Sequence, residues 1–174
     1  LYGQGNTEKN AAVVKHGLLA AATTSVILLA VLYLVYMNIH RMGQPEELLP
    51  LMRPYMIVNM ISLPFACWFN TFKQFFDGIG HTKTSMYIMI AGNILNIGGN
   101  YLLIYGPGPM PELGLLGAGI STMASRIIMF FTAAAIFLFT KKYKTYSSAM
   151  RNSRFSKELY RTIDKQSWPV ALQM

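Results

Sequence analysis

Three asparagines punctuate SMYIMIAGNILNIGGNYLLIY, a stretch over residues 85–105 that contains no charged side chain. At 100° per residue Asn93, Asn96 and Asn100 fall within about 60° of one another on a helix, one polar stripe about 10 Å long. An amide both donates and accepts, so the stripe can bond a neighbouring helix, line water, or offer carbonyl oxygens to a cation. A second block adds a hydroxyl at Thr122 and a guanidinium at Arg126. There Gly117, Ser121 and Ser125 recur every four residues, a small-residue ridge that lets another helix approach closely. An uncharged run follows Arg126 as far as Thr140, which places this cation deep in an apolar block. Such a group is costly in lipid unless it is paired or hydrated.

The elements that must hold these groups are legible in the composition. The 174 residues are 53% hydrophobic and 13% charged, with a mean hydropathy of +0.34, which argues against a fully solvated surface. The apolar residues gather into four blocks, 17–36, 55–76, 85–105 and 117–140, each about the length that a bilayer-crossing helix needs. None alternates strictly, as the strands of a β-barrel would. The expected fold class is an all-α polytopic membrane protein with four transmembrane helices visible. Cys67 is the only cysteine, so no disulfide framework or cysteine metal site can be built from this chain. His16, His40 and His81 stand isolated at segment ends and read as solvated or interfacial. Residues 1–16 read as the end of a preceding helix and a loop, and residues 168–174 as the start of a further span. The chain thus reads as part of a longer protein.

The block at 55–76 has its own polar row. Asn59, Ser62, Asn70, Lys73, Gln74 and Asp77 project within about 60° of one direction. Pro64 removes a helical donor, making it a candidate hinge, and Lys73 can pair with Asp77 at four-residue spacing. Aromatic residues Trp68, Phe69 and Tyr87 can face a cavity or lipid equally well. The connection 40–53 reads as a short surface helix led by Pro45, with Glu46 and Glu47 in its first turn. DGIGHTKTS lacks the spacing of a phosphate loop.

Residues 141–167 form a basic linker in which eight lysines and arginines face only Glu158 and Asp164. The positive-inside rule assigns it to the cytoplasm. Odd-numbered spans then run outward, both ends of the chain are cytoplasmic, and the loop at 106–114, which lacks lysine and arginine, is external. The linker's aromatic and aliphatic residues suit anionic headgroups; a basic loop beside spans is read as a topology determinant, not a nucleic-acid site.

NILNIGGNYLLIYG followed by PELGLLGAGISTMASR resembles the fifth and sixth helices of multidrug and toxic compound extrusion (MATE) transporters. DGIGHTKTSM resembles the end of their fourth helix, GQGN the end of their second, and SWPVALQ the start of their seventh. The resemblance implies a twelve-helix, two-lobe protein of which this chain holds about helices three to six. It also implies a monomer in a bacterial inner membrane that exchanges Na+ or H+ for small organic cations or drugs by alternating access, with no cofactor. By position Asn96, Asn100 and Thr122 resemble the neighbourhood of the family's cation site. Some members have an aspartate where Asn100 stands, and the family's essential acid lies on its first helix, beyond this chain. Asn93, Arg126, Asn59, Asn70 and Gln74 extend the candidate polar lining.

Three other readings compete with this one. A lipid-linked saccharide flippase of related fold is expected to line its cavity with several basic residues, and Arg126 is the one deep cation. A membrane enzyme needs acid, base or metal groups converging at one depth, and no carboxylate lies in mid-membrane. A scaffold leaves two separate polar rows without a purpose.

Overall fold

The computed structural model describes residues 7–43, 45–106 and 112–152, and every element among them is helical. Four helices are long: α1 (Thr7–Met37), α2 (Leu49–Gly78), α3 (Thr82–Tyr105) and α4 (Gly114–Phe139). A short α5 (Lys144–Asn152) follows, and 3-10 turns at Ile39–Met42, Glu46–Leu48 and Lys141–Tyr143 complete the connections. The shortest of the four has 24 residues, about 36 Å of helix against a hydrocarbon core of about 30 Å. All four are long and apolar enough to cross a membrane, so the chain is a polytopic helical membrane protein.

Two boundaries differ from expectation. Helix α1 is already formed at Thr7, ten residues before the expected span, because hydropathy marks where lipid starts and not where backbone hydrogen bonding starts. TEKNAAVVKHG is rich in good helix formers and simply continues the rod toward water. The expected surface helix over 40–53 is instead a three-residue 3-10 turn after Pro45, and residues from Leu49 onward already belong to α2. Pro50 occupies the first turn of α2, where a missing N–H costs nothing. Both Pro54 and Pro64 lie inside that one helix. The GQGN and SWPVALQ segments, the centre of the 106–114 loop and residues 153–167 lie outside the described residues.

Helix α4 packs along both α2 and α3, which touch each other less, while α1 lies on α2 and α5. The α2/α4 contact is aromatic. Phe65, Trp68, Phe69, Phe72, Phe75 and Phe76 recur at three- and four-residue spacing and so share one face of α2. Phe72 and Phe75 meet Phe137 of α4 with ring centroids 5.5 and 5.3 Å apart. In lipid such contacts gain little from escaping water; their stabilisation comes from close packing, about 0.5–1.5 kcal/mol for each well-set aromatic pair. Away from these seams the helices turn apolar side chains outward, as at Ile97 and Phe139, where acyl chains are the solvent.

Tyr143, between α4 and α5, closes the basic end of the bundle. It is buried, lies with its ring tilted against Phe76 at a centroid distance of 5.2 Å, and shares a 3.1 Å hydrogen bond with Thr84 at the start of α3. His16, expected to be solvated, is fully buried, because α1 extends past it and α5 packs back on α1; Val14 belongs to the core cluster against which Tyr146 and Met150 pack.

Candidate functional site

The α3/α4 seam is set by missing side chains. A Cβ on Gly117 would run into the Leu103 backbone, 2.6 Å from its carbonyl carbon. A Cβ on Gly99 would strike the Ser121 hydroxyl, and one on Gly92 the Met129 thioether. The helix backbones therefore meet closely at Gly117, as small residues permit in membrane helices, while at Gly99 and Gly92 a side chain of α4 fills the space a Cβ would take. Gly117, Ser121 and Ser125 are all buried against the neighbouring helices.

This close approach brings polar groups from two helices together. Asn96 donates its amide to the Thr122 hydroxyl at 3.3 Å, and Asn100 donates to the Asn96 side-chain oxygen at 3.2 Å. Ser121 donates to the Asn96 backbone carbonyl at 2.9 Å, an α4-to-α3 bond at the centre of the seam. The result is a relay from Thr122 through Asn96 to Asn100. Its last atom, Asn100 Oδ1, is buried and accepts no hydrogen bond. An unsatisfied buried acceptor costs about 1–3 kcal/mol, and a hard cation is one group that relieves such a cost.

The other candidates lie elsewhere. Asn93 is exposed, one turn short of the relay, in a separate groove of about 460 Å³ that also includes Lys73, Asp77 and Ser85. The stripe and the seam are offset: Gly92, Asn96, Gly99 and Leu103 face α4, and Asn93 projects roughly 90° from their mean direction. The seven-residue spacing of Gly92 and Gly99 was the available signal for that offset. On α2, Asn70 and Gln74 are exposed. The expected Lys73 and Asp77 ion pair does not form; Asp77 accepts the Ser85 hydroxyl at 2.5 Å instead, since α3 offers a donor at the same level. Phe69 is buried in the aromatic face, Trp68 is half-buried beside Phe65 and Phe130, and Tyr87 is exposed.

Arg126 has a partner the sequence did not reveal. Its Nη1 donates to Ser62 Oγ of α2 at 2.6 Å, and Ser62, fully buried, donates on to the Asn59 carbonyl at 2.8 Å. Asn59 in turn donates its amide to the Tyr55 carbonyl. Arg126 and Asn59 thus belong to an α2/α4 chain of donors separate from the asparagine relay. The guanidinium forms no ion pair with a described carboxylate, and its hydrogen-bond acceptor among the described residues is the neutral Ser62 hydroxyl.

The MatE family model matches residues 1–102. The chain is 33% identical over 132 residues to the probable multidrug resistance protein NorM of Photorhabdus laumondii, covering 76% of this chain and 29% of that protein. It is 34% identical to the multidrug resistance protein NorM of Vibrio cholerae, covering 70% of this chain and 27% of that protein. A third similar protein, the uncharacterized transporter YisQ of Bacillus subtilis, is 31% identical, over 76% of this chain and 29% of its own length. The chain therefore spans about three tenths of these relatives. With its four apolar helices and a family match over more than half its length, this chain belongs to the MatE (multidrug and toxic compound extrusion) family.

Proposed function

We propose that the protein to which this chain belongs is a secondary-active multidrug exporter of a bacterial inner membrane, exchanging Na+ or H+ for organic cations. The observation that carries the reading is the buried, unpartnered Asn100 Oδ1 at the end of the Thr122, Asn96 and Asn100 relay. In the proposed mechanism the coupling cation takes oxygens of this relay as part of its shell, with further ligands and the negative charge supplied by segments outside this chain. Binding favours one of two arrangements of the lobe only to the extent that its affinity differs between them. The close α3/α4 seam makes that difference steep: a small slide of α4 moves Thr122 away from Asn96 and dissolves the cluster. The names of the similar proteins, multidrug resistance proteins in two cases, support drugs as cargo.

The test uses the full-length parent in cells without their own efflux pumps. Asn100→Ala and Thr122→Ala are expected to lower ethidium export at least tenfold at unchanged expression, and undiminished export in both variants removes the relay from the mechanism. In vesicles, a sodium jump or a pH jump that drives export identifies the coupling ion.

A further inference from the structure

Arg126 is placed to act on the asparagine relay without touching it. Gly99 of α3 faces Ser121 of α4, and Gly117 of α4 faces the Leu103 backbone, so the two helices run antiparallel and Asn100 stands level with Ile120. Arg126 lies six residues further along α4, about 9 Å of helix, and one turn beyond Thr122, which bonds Asn96. Its guanidinium is turned toward α2, where Nη1 donates to the buried Ser62 hydroxyl. It is therefore not a member of the relay but a fixed positive charge roughly 10 Å from Asn100 Oδ1. No carboxylate lies in the middle turns of α2, α3 or α4. The other cations on these helices are placed differently. Lys73 and Lys83 stand about 16 Å further toward the Tyr143 end. Arg53 is near the depth of Asn100, since Tyr55 abuts Gly119, but it is exposed and held by His40 and the Tyr36 ring, where water screens its charge.

We infer that Arg126 governs how tightly the coupling cation is held: its charge keeps affinity at the relay about tenfold below what the same oxygens would give without it. The inference rests on the transport reading above and gives that site a regulator. A unit positive charge about 10 Å from a monovalent cation, in a partly buried setting, weakens its binding by about that factor. The effect does not require an unpaired guanidinium in the parent. Deleting one fixed positive charge raises the site's attraction for a cation by the same amount whatever other fixed charges surround it. Ser62, anchored on the Asn59 carbonyl, holds the guanidinium at this distance, so it repels the ion without taking its ligands. A limit on affinity serves turnover, because an ion held too tightly does not leave on the opposite side.

The experiment follows ethidium export in vesicles holding the full-length parent, at saturating ethidium, as a function of sodium at fixed pH and of protons at fixed sodium. For the ion that drives export, Arg126→Gln is expected to lower the half-saturating concentration about tenfold, a gain that a damaged fold does not produce. Glutamine keeps a donor for Ser62 and deletes the charge. Arg126→Lys is expected to keep the parent's value, and Arg53→Gln to change it less than about twofold, because that charge stands in water. An unchanged or raised half-saturating concentration in Arg126→Gln overturns the inference, as does an equal fall in Arg126→Lys. Failure of the transport reading has a different mark: Asn100→Ala exports at the parent's half-saturating concentration, or neither ion drives export, and either result takes this inference with it.

Discussion

At the scale of single residues, the site depends on where side chains are absent. Gly117 and Gly98 lie on facing helices of the same site but differ in surroundings: a Cβ meets the Leu103 backbone at the first and nothing within 4 Å at the second. Backbone cannot move aside as a flexible side chain can, so Gly117→Ala is expected to cost about 1–3 kcal/mol and to separate Thr122 from Asn96. Gly98→Ala is expected to be neutral, or to gain up to about 1 kcal/mol from helix propensity. Thermal unfolding of the detergent-purified parent distinguishes them, with a lowered midpoint for the first variant alone. Comparable destabilisation by both would mean that the seam is not the tight contact described. Arg126 illustrates the opposite case, a residue whose position was legible but whose partner was not. A deep cation on α4 is evident from the uncharged run behind it. That its acceptor is Ser62 depends on α2 and α4 packing together, and no pattern within either helix encodes that pairing.

At the scale of elements, the spans were legible because a lipid solvent imposes the same demand on every residue of a crossing helix. Their ends were not, because α1 continues into water through residues that favour helix without being apolar. The asparagine stripe was legible as a stripe, but its direction relative to α4 was set by Gly92 and Gly99, so Asn96 alone reaches α4, and Asn100 joins the relay through Asn96 one turn away while Asn93 does not. The α2/α3 turn shows a further consequence of packing. His81 lies 5.5 Å from the Tyr143 ring, and its Nδ1 is buried without a hydrogen-bond partner. Burial, and then the charge of Lys142, push its imidazole below the usual histidine value of 6.5. The folded state therefore binds the proton more weakly than the unfolded one. The corresponding stability is complete above about pH 6.5 and is lost as pH falls through the depressed folded value. The parent's unfolding midpoint is expected to drop on acidification below this point. His81→Gln should flatten that part of the pH dependence, and an unchanged slope would assign it to other groups.

Across the whole molecule, charge is distributed by end. Lys15, Lys73, Lys83, Lys141, Lys142 and Lys144 lie toward the end closed by Tyr143, whereas the opposite end holds Arg41 and Arg53 alongside Glu46, Glu47 and Glu112. At that second end Arg53 bonds His40 and sits 6.0 Å from the Tyr36 ring, so part of its charge is absorbed locally. Lysine and arginine bias in short loops sets orientation, and the expectation that follows is a cytoplasmic Tyr143 end. The asparagine relay would then lie in the outer half of α3, since Asn96 and Asn100 are nearer Tyr105 than Thr82. A cation arriving from outside would reach it by the shorter path. Single-cysteine variants of a parent whose own cysteines, Cys67 included, have all been replaced test this arrangement. Glu47→Cys is expected to react with a membrane-impermeant maleimide in intact cells, and Lys83→Cys only after permeabilisation. The reverse pattern would invert the lobe, turn the relay toward the cytoplasm, and require the coupling cation to bind from the inner side.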